Sequence, residues 1–314
     1  MRDTAIRAGS AARDSARAIL SPAGLRGTGI EIVWAAAHAA LYPMGALRER
    51  TRKGADRYSL RGLDPVKRSL ILGDVEAAGT PIVLVHGWVD NRSIFTLLRR
   101  ALHRRGFGRV VTMNYNVLTH DVPRAAQRLK VLVDQLCEET GFERVHVVGH
   151  SMGGLVARYY VQRLAGDERI HTLATLGTPH SGTRTAHLFV GRAVKSLRVG
   201  SAVVRELAEP APQCRTRFIA FWSDLDELVV PKASARIDHP DLNARNVFVR
   251  GAGHLSLPID GRVVHEIVAA LAHLDADGTT ISAGVTSIAD ASDQSRPPVV
   301  PARRRSAPGS QTVG

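Results

Sequence analysis

The sequence predicts an α/β protein built on a mostly parallel sheet with helices on both faces. Three observations lead there. From about residue 57 to residue 274, short apolar runs alternate with amphipathic stretches. Repeated alternation of this kind means parallel strands joined by crossover helices. The run Pro81-Ile82-Val83-Leu84-Val85 is almost continuously apolar, as a strand covered on both faces must be. A chain of 314 residues, 44% hydrophobic, is long and apolar enough for one large domain with a full core. Only 5% of it is aromatic, so that core must lean on Val, Leu, Ala and Ile.

The elements follow in order. A short strand is expected at 69–72 and the buried one at 81–85. Residues 93–105 read as a helix, with Ile94, Leu97, Leu98 and Leu102 on one face. A strand at 109–113 follows, then a helix over 121–140 with Asp121 as N-cap and Pro123 in its first turn. Cys137 in that helix reads as a small core residue, and its pairing with Cys214 stays open. Strand 145–148, helix 151–164, strand 170–176, strands 217–222 and 246–250, and a closing helix over 260–274 complete the pattern. Residues 181–213 interrupt the alternation, with helix-like pieces at 188–197 and 203–207. They read as a short lid insertion over the carboxyl edge of the sheet, where ligands bind in such folds.

The two ends differ from this core. Residues 1–62 carry 11 Lys and Arg against 5 Asp and Glu, which is +6 of the net +13. A basic extension suits anionic lipid head groups, or serves as a solvated tail. Zinc-finger spacing and an aromatic-interleaved basic patch are both missing, so no nucleic acid partner is expected. Residues 29–47 turn apolar, but they carry Glu31 and His38 and are broken at Pro43. A span wants roughly 20 apolar residues. A helix docked on the protein or lying at a membrane surface therefore fits better than a span or a signal peptide. The expected location is the cytoplasm or a membrane periphery, with secretion left open. Residues 275–314 become Gly/Ser/Thr/Asp-rich and then Pro/Arg-rich, the composition of a disordered tail. The expected organisation is thus 1–62, 63–274 and 275–314.

The chemistry-bearing pattern is Gly149-His150-Ser151-Met152-Gly153. It stands between a strand and a helix, which is the setting a nucleophile elbow needs. A sharp turn there lifts the Ser151 hydroxyl clear of the sheet and sets it at a helix N-terminus. The backbone N–H of Met152 then faces a developing oxyanion, aided by the helix dipole. His86-Gly87-Trp88 after strand 81–85 can bring a second N–H, that of Trp88, to the same place. His86 reads chiefly as a loop-bonding histidine beside the pocket. A triad also needs an acid and a histidine beyond later strands. Asp226 and Asp224 both follow strand 217–222. Asp226 is preferred because Leu228-Val229-Val230-Pro231 would pack back on the core and fix its carboxylate, while Asp224 suits a loop cap. His254, after the last strand and before the final helix, is the expected base. His180 is placed at the sheet edge, as a pocket-lining or hydrogen-bonded loop residue.

With these residues the chain resembles the α/β-hydrolase superfamily, and within it bacterial triacylglycerol lipases and esterases. The resemblance covers about residues 65–274. It is carried by Val83-Leu84-Val85-His86-Gly87-Trp88, the elbow with Gly154, Leu176-Gly177-Thr178-Pro179-His180-Ser181-Gly182-Thr183, Asp226 to Pro231 and Gly253-His254. The order Ser…Asp…His is the order that family uses. The resemblance implies the α/β-hydrolase fold, acyl ester or lipid substrates, an acyl-enzyme and no cofactor. No calcium-binding pattern can be carried over, so no metal is expected. The insertion is short for a large-lidded lipase, which argues against interfacial activation. An acyltransferase or thioesterase would use the same triad, and a non-catalytic binding protein would keep only the pocket.

Overall fold

The computed structural model describes residues 79–88, 92–115 and 121–272. The expected strand at 69–72, the apolar stretch 29–47 and the tail 275–314 lie outside the described residues. Among the described residues, six parallel strands form one sheet in the order β2-β1-β3-β4-β5-β6. They are β1 (Ile82–Val85), β2 (Val110–Met113), β3 (Val145–His150), β4 (Ile170–Leu176), β5 (Arg217–Trp222) and β6 (Asn243–Phe248). Helices α1 (Thr96–Arg104), α2 (Val122–Thr140), α3 (Met152–Arg163) and α6 (Gly261–Ala272) cross between or follow them. Two short helices, α4 (Arg192–Ser196) and α5 (Ala202–Ala208), lie between β4 and β5. Among the described residues no helix is long and apolar enough to cross a membrane.

Alternation along the strands divides the core into two layers. Val83, Val85, Val145 and Val147 pack with Ala125, Leu129, Leu155 and Val156, which belong to α2 and α3. Ile82, Leu84 and Val148 face the other way, onto Leu98 and Leu102 of α1 and Val263 and Ile267 of α6. Every residue of β1, β3 and β4 is buried. Such strands must read as continuous apolar runs, and β1 does. Helix α2 begins where expected. The Asp121 carboxylate accepts from the Arg124 N–H at 3.1 Å, and Gly141 ends the helix in a left-handed conformation at φ 76°.

Three expected boundaries change. The first helix opens with a 3₁₀ turn at Arg92–Phe95 before α1 proper. The last strand runs over Asn243–Phe248 rather than 246–250, because its backbone pairs with β5 from Arg217↔Asn243 onward whatever its side chains are. In the insertion, Leu188 to Val190 are not helical. Gly191 at φ 134° separates them from α4. Cys137 and Cys214 are both free thiols, and Cys137 is buried.

Candidate active site

Strand order fixes where a site can form. The chain leaves β1 for β2 on one side, then returns to pair β3 on the other side of β1. The carboxyl ends of β1 and β3 therefore flank a topological switch point, where crevices open in such sheets. Val85 pairs with Gly149 there, so the loops after β1 and β3 meet. A β-carbon added to Gly87 would stand 2.8 Å from the Ser151 Cβ.

Ser151 has φ 54° and ψ −124°, a conformation that costs a non-glycine residue on the order of 1–3 kcal/mol. Its surroundings hold it there. The Ser151 N–H donates to the Leu176 carbonyl at 2.9 Å. The Ser151 carbonyl accepts from the Thr178 hydroxyl at 2.9 Å and from the Gly154 N–H at 3.1 Å. Gly153 lets α3 start against β1: a β-carbon there would lie 2.1 Å from the Val85 carbonyl oxygen. The Met152 side chain is fully buried in the core, so only its backbone reaches the site. Its N–H belongs to the first turn of α3, where no intrahelical acceptor exists.

Across the crevice, the Asp226 carboxylate accepts from His254 Nδ1 at 2.8 Å, and both side chains are buried. The other Asp226 oxygen accepts from the N–H groups of Leu228 and Val229 at 3.0 and 3.1 Å. This is the local Asx geometry that a short acidic side chain makes with its own loop. Burial alone would raise the Asp226 pKa. The charge of His254, its hydrogen bond, the Val229 N–H and the Lys232 charge outweigh that, and the carboxyl is held below its ordinary value. Gly177, at φ 56°, lies behind the pair. A methyl group there would stand 2.7 Å from the Asp226 oxygen and 3.1 Å from His254 Nδ1.

Asp224 has a different neighbour. It accepts from the Gly251 N–H at 2.7 Å, capping the loop that leads to His254. His150 braces the same loop. Its Nε2 is 3.0 Å from the His254 carbonyl, and the two rings are 4.8 Å apart. Since a carbonyl only accepts, that nitrogen carries the proton.

Ser151, His254 and Trp88 line one cavity of about 520 Å³. Its other walls are mainly apolar, from Phe189, Val194, Leu197, Leu228 and Val229. Phe189 meets Trp88 edge to face at 5.0 Å. Neither His86 nor His180 belongs to the lining. His86 stacks on Tyr115 at 4.5 Å, and its carbonyl accepts from the Tyr115 hydroxyl at 2.7 Å. His180 is buried and bonded to the Thr175 hydroxyl at 3.0 Å. Desolvation, with Arg158 adding to it, pushes the His180 pKa well below the usual imidazole value. Both histidines shape loops instead of facing the pocket. Among the described residues, no group of three His, Cys, Asp or Glu side chains is placed to hold a metal ion.

Some contributors carry no sequence signal. The Thr183 and Thr185 hydroxyls both donate to the Leu228 carbonyl, at 2.9 and 2.6 Å, tying segment 181–213 to the acid loop. Threonines two apart are too common to mark such a tie. Thr178 stands within a recognisable run, yet its bond to the Ser151 carbonyl depends on a strand pairing that sequence does not display.

Comparison with known proteins agrees with this architecture. Residues 80–198 match a family model described as the alpha/beta hydrolase fold. A triacylglycerol lipase of Pseudarthrobacter phenanthrenivorans is 27% identical over 113 residues, covering 34% of this chain and 35% of that protein. The chain thus aligns with about a third of the length of the curated relatives it matches. Aspergillus fumigatus lipase B superposes with a TM-score of 0.55 at 17% identity, over 66% of this chain and 55% of that one. The mature form of a Bacillus licheniformis lipase gives 0.51 at 18% identity, over 62% and 92%. At such identities the structural likeness speaks for the fold alone. Taken with the strand order, the matched segment shows an alpha/beta hydrolase fold over residues 80–198, in a chain that is similar at low identity to lipases and esterases.

Proposed function

We propose that the chain hydrolyses carboxylic esters, with lipid acyl esters as its substrates, through an acyl-enzyme on Ser151. The observation that carries this reading is a buried Asp226–His254 pair bonded at 2.8 Å, with His254 and Ser151 on the wall of one apolar cavity.

In this reading His254 removes the Ser151 hydroxyl proton as Oγ attacks the ester carbonyl carbon. Asp226 holds Nδ1–H in place, so that Nε2 is the basic nitrogen. The carbonyl oxygen becomes an oxyanion and accepts from the N–H groups of Met152 and Trp88. Collapse of the tetrahedral intermediate breaks the bond to the alkoxy oxygen. His254 returns the proton to that oxygen, and the alcohol leaves. Water, deprotonated by His254, then attacks the acyl-enzyme and releases the carboxylic acid and free Ser151. Segment 181–213 acts as a short lid, supplying Thr183, Ala186, Phe189, Val194 and Leu197 to the cavity wall. The acyl chain occupies that apolar space.

Ser151→Ala tests the assignment. Hydrolysis of a p-nitrophenyl ester should fall by about 10⁴-fold or more, with an unchanged melting curve. Undiminished turnover would remove Ser151 from the mechanism.

A further inference from the structure

The apolar surface of the cavity does not stop at its mouth. Leu188 and Val190 are 80% and 91% exposed, and Phe189 between them is 41% exposed while also lining the cavity. Leu228, on the acid loop, is another cavity residue, 46% exposed. Three consecutive large apolar side chains in water are unfavourable for a surface with no partner.

The segment that carries this tip has charge of one sign, and on the neighbouring loop Glu227, beside Leu228, is already paired with Lys232 at 3.1 Å. Residues 169–205 contain no Asp or Glu. Arg184, Arg192 and Lys195 flank the tip, are exposed, and pair with no carboxylate among the described residues. The tip is also preformed. Arg198 donates to the carbonyls of Ala186 and Phe189 at 3.2 and 3.0 Å, and the Leu188 N–H donates to the Thr185 carbonyl at 3.0 Å. Its backbone needs no reorganisation to present the side chains.

We infer that Leu188 to Val190, flanked along the chain by exposed Arg184, Arg192 and Lys195, is a docking surface for an anionic lipid–water interface. Apolar side chains enter the acyl boundary, and the cations meet head-group phosphates. Opposite charge selects this occupant: an uncharged apolar partner would leave three cations beside it uncompensated. Docking there sets the cavity mouth at the membrane, so an acyl ester reaches Ser151 without crossing water. That last consequence rests on the proposed ester hydrolysis; the docking itself does not.

Flotation of the full chain on phosphatidylcholine vesicles, with and without phosphatidylglycerol, tests it. Partitioning should favour the anionic vesicles and weaken as salt is raised. The Leu188→Ser/Val190→Ser variant should lose about tenfold or more in partition coefficient, since two exposed aliphatic side chains no longer enter the interface. The Arg192→Glu/Lys195→Glu variant should lose the preference for anionic vesicles. Turnover of a water-soluble acetyl ester and the melting temperature should stay unchanged in both. Equal partitioning on the two vesicle types, or full partitioning retained by both variants, would overturn the inference and assign any membrane binding to another part of the chain. Vesicle binding with these sensitivities but no ester turnover in the parent would leave the docking surface standing and reject the proposed activity.

Discussion

A buried carboxylate is stable only if its neighbours replace the water it lost. Asp226 has such neighbours: His254 on one oxygen and two backbone N–H groups on the other. Its pKa is lower in the folded chain than in the unfolded one, so its contribution to stability is present above the unfolded value, near pH 4. That contribution is lost as pH falls through the depressed folded value. Asp226→Asn should therefore destabilise the protein at neutral pH, and the gap to the parent should narrow as denaturation is followed into acid. If Asp226 also orients His254, the same variant should lower kcat by about 10⁴-fold with KM little changed. A variant with full activity would reduce Asp226 to a structural role. In the sequence, Asp226 and Asp224 are distinguished only by the apolar turn after Asp226. The packing of that turn, with two N–H groups aimed at the carboxylate, separates them in space. His86 and His180 were legible as loop residues or pocket residues, and nothing in their neighbours decided between the two.

At the scale of elements, what reads well is whatever is buried on both faces or capped by local chemistry. Strand β1 is one apolar run, and α2 has its Asp121 cap and its Gly141 stop. Asp121→Ala should cost about 1 kcal/mol by denaturant titration. A change within a few tenths would mean that tertiary packing, not the cap, sets this terminus. Strand β6 is less legible because it lies at the sheet edge. Its sequence, Asn-Ala-Arg-Asn-Val-Phe, has no apolar run, and backbone pairing alone extends it to Asn243. The insertion reads poorly for a related reason. Its helices are short, and their placement depends on hydroxyl-to-carbonyl ties such as Thr183 to Leu228.

Over the whole molecule, alternation along the chain becomes a sheet whose strand order opens a crevice beside the Gly87 loop and the elbow. One core layer supports α3 beneath Ser151, and the other supports α6 after the His254 loop. The cavity at their junction, about 520 Å³ and mainly apolar, should select by acyl length. Each methylene buried adds about 0.8 kcal/mol, roughly fourfold in kcat/KM. A series of p-nitrophenyl esters from acetyl to palmitoyl should rise by about that factor per carbon and then level once the cavity is full. A flat series would mean that the acyl group stays in water. The central claim, that Ser151 is an activated nucleophile, is tested most directly by covalent capture. A fluorophosphonate probe followed by peptide mass spectrometry should place one adduct on Ser151, lost in Ser151→Ala and slowed in His254→Ala. No adduct on the parent protein, or an adduct on another residue that survives Ser151→Ala, would contradict it.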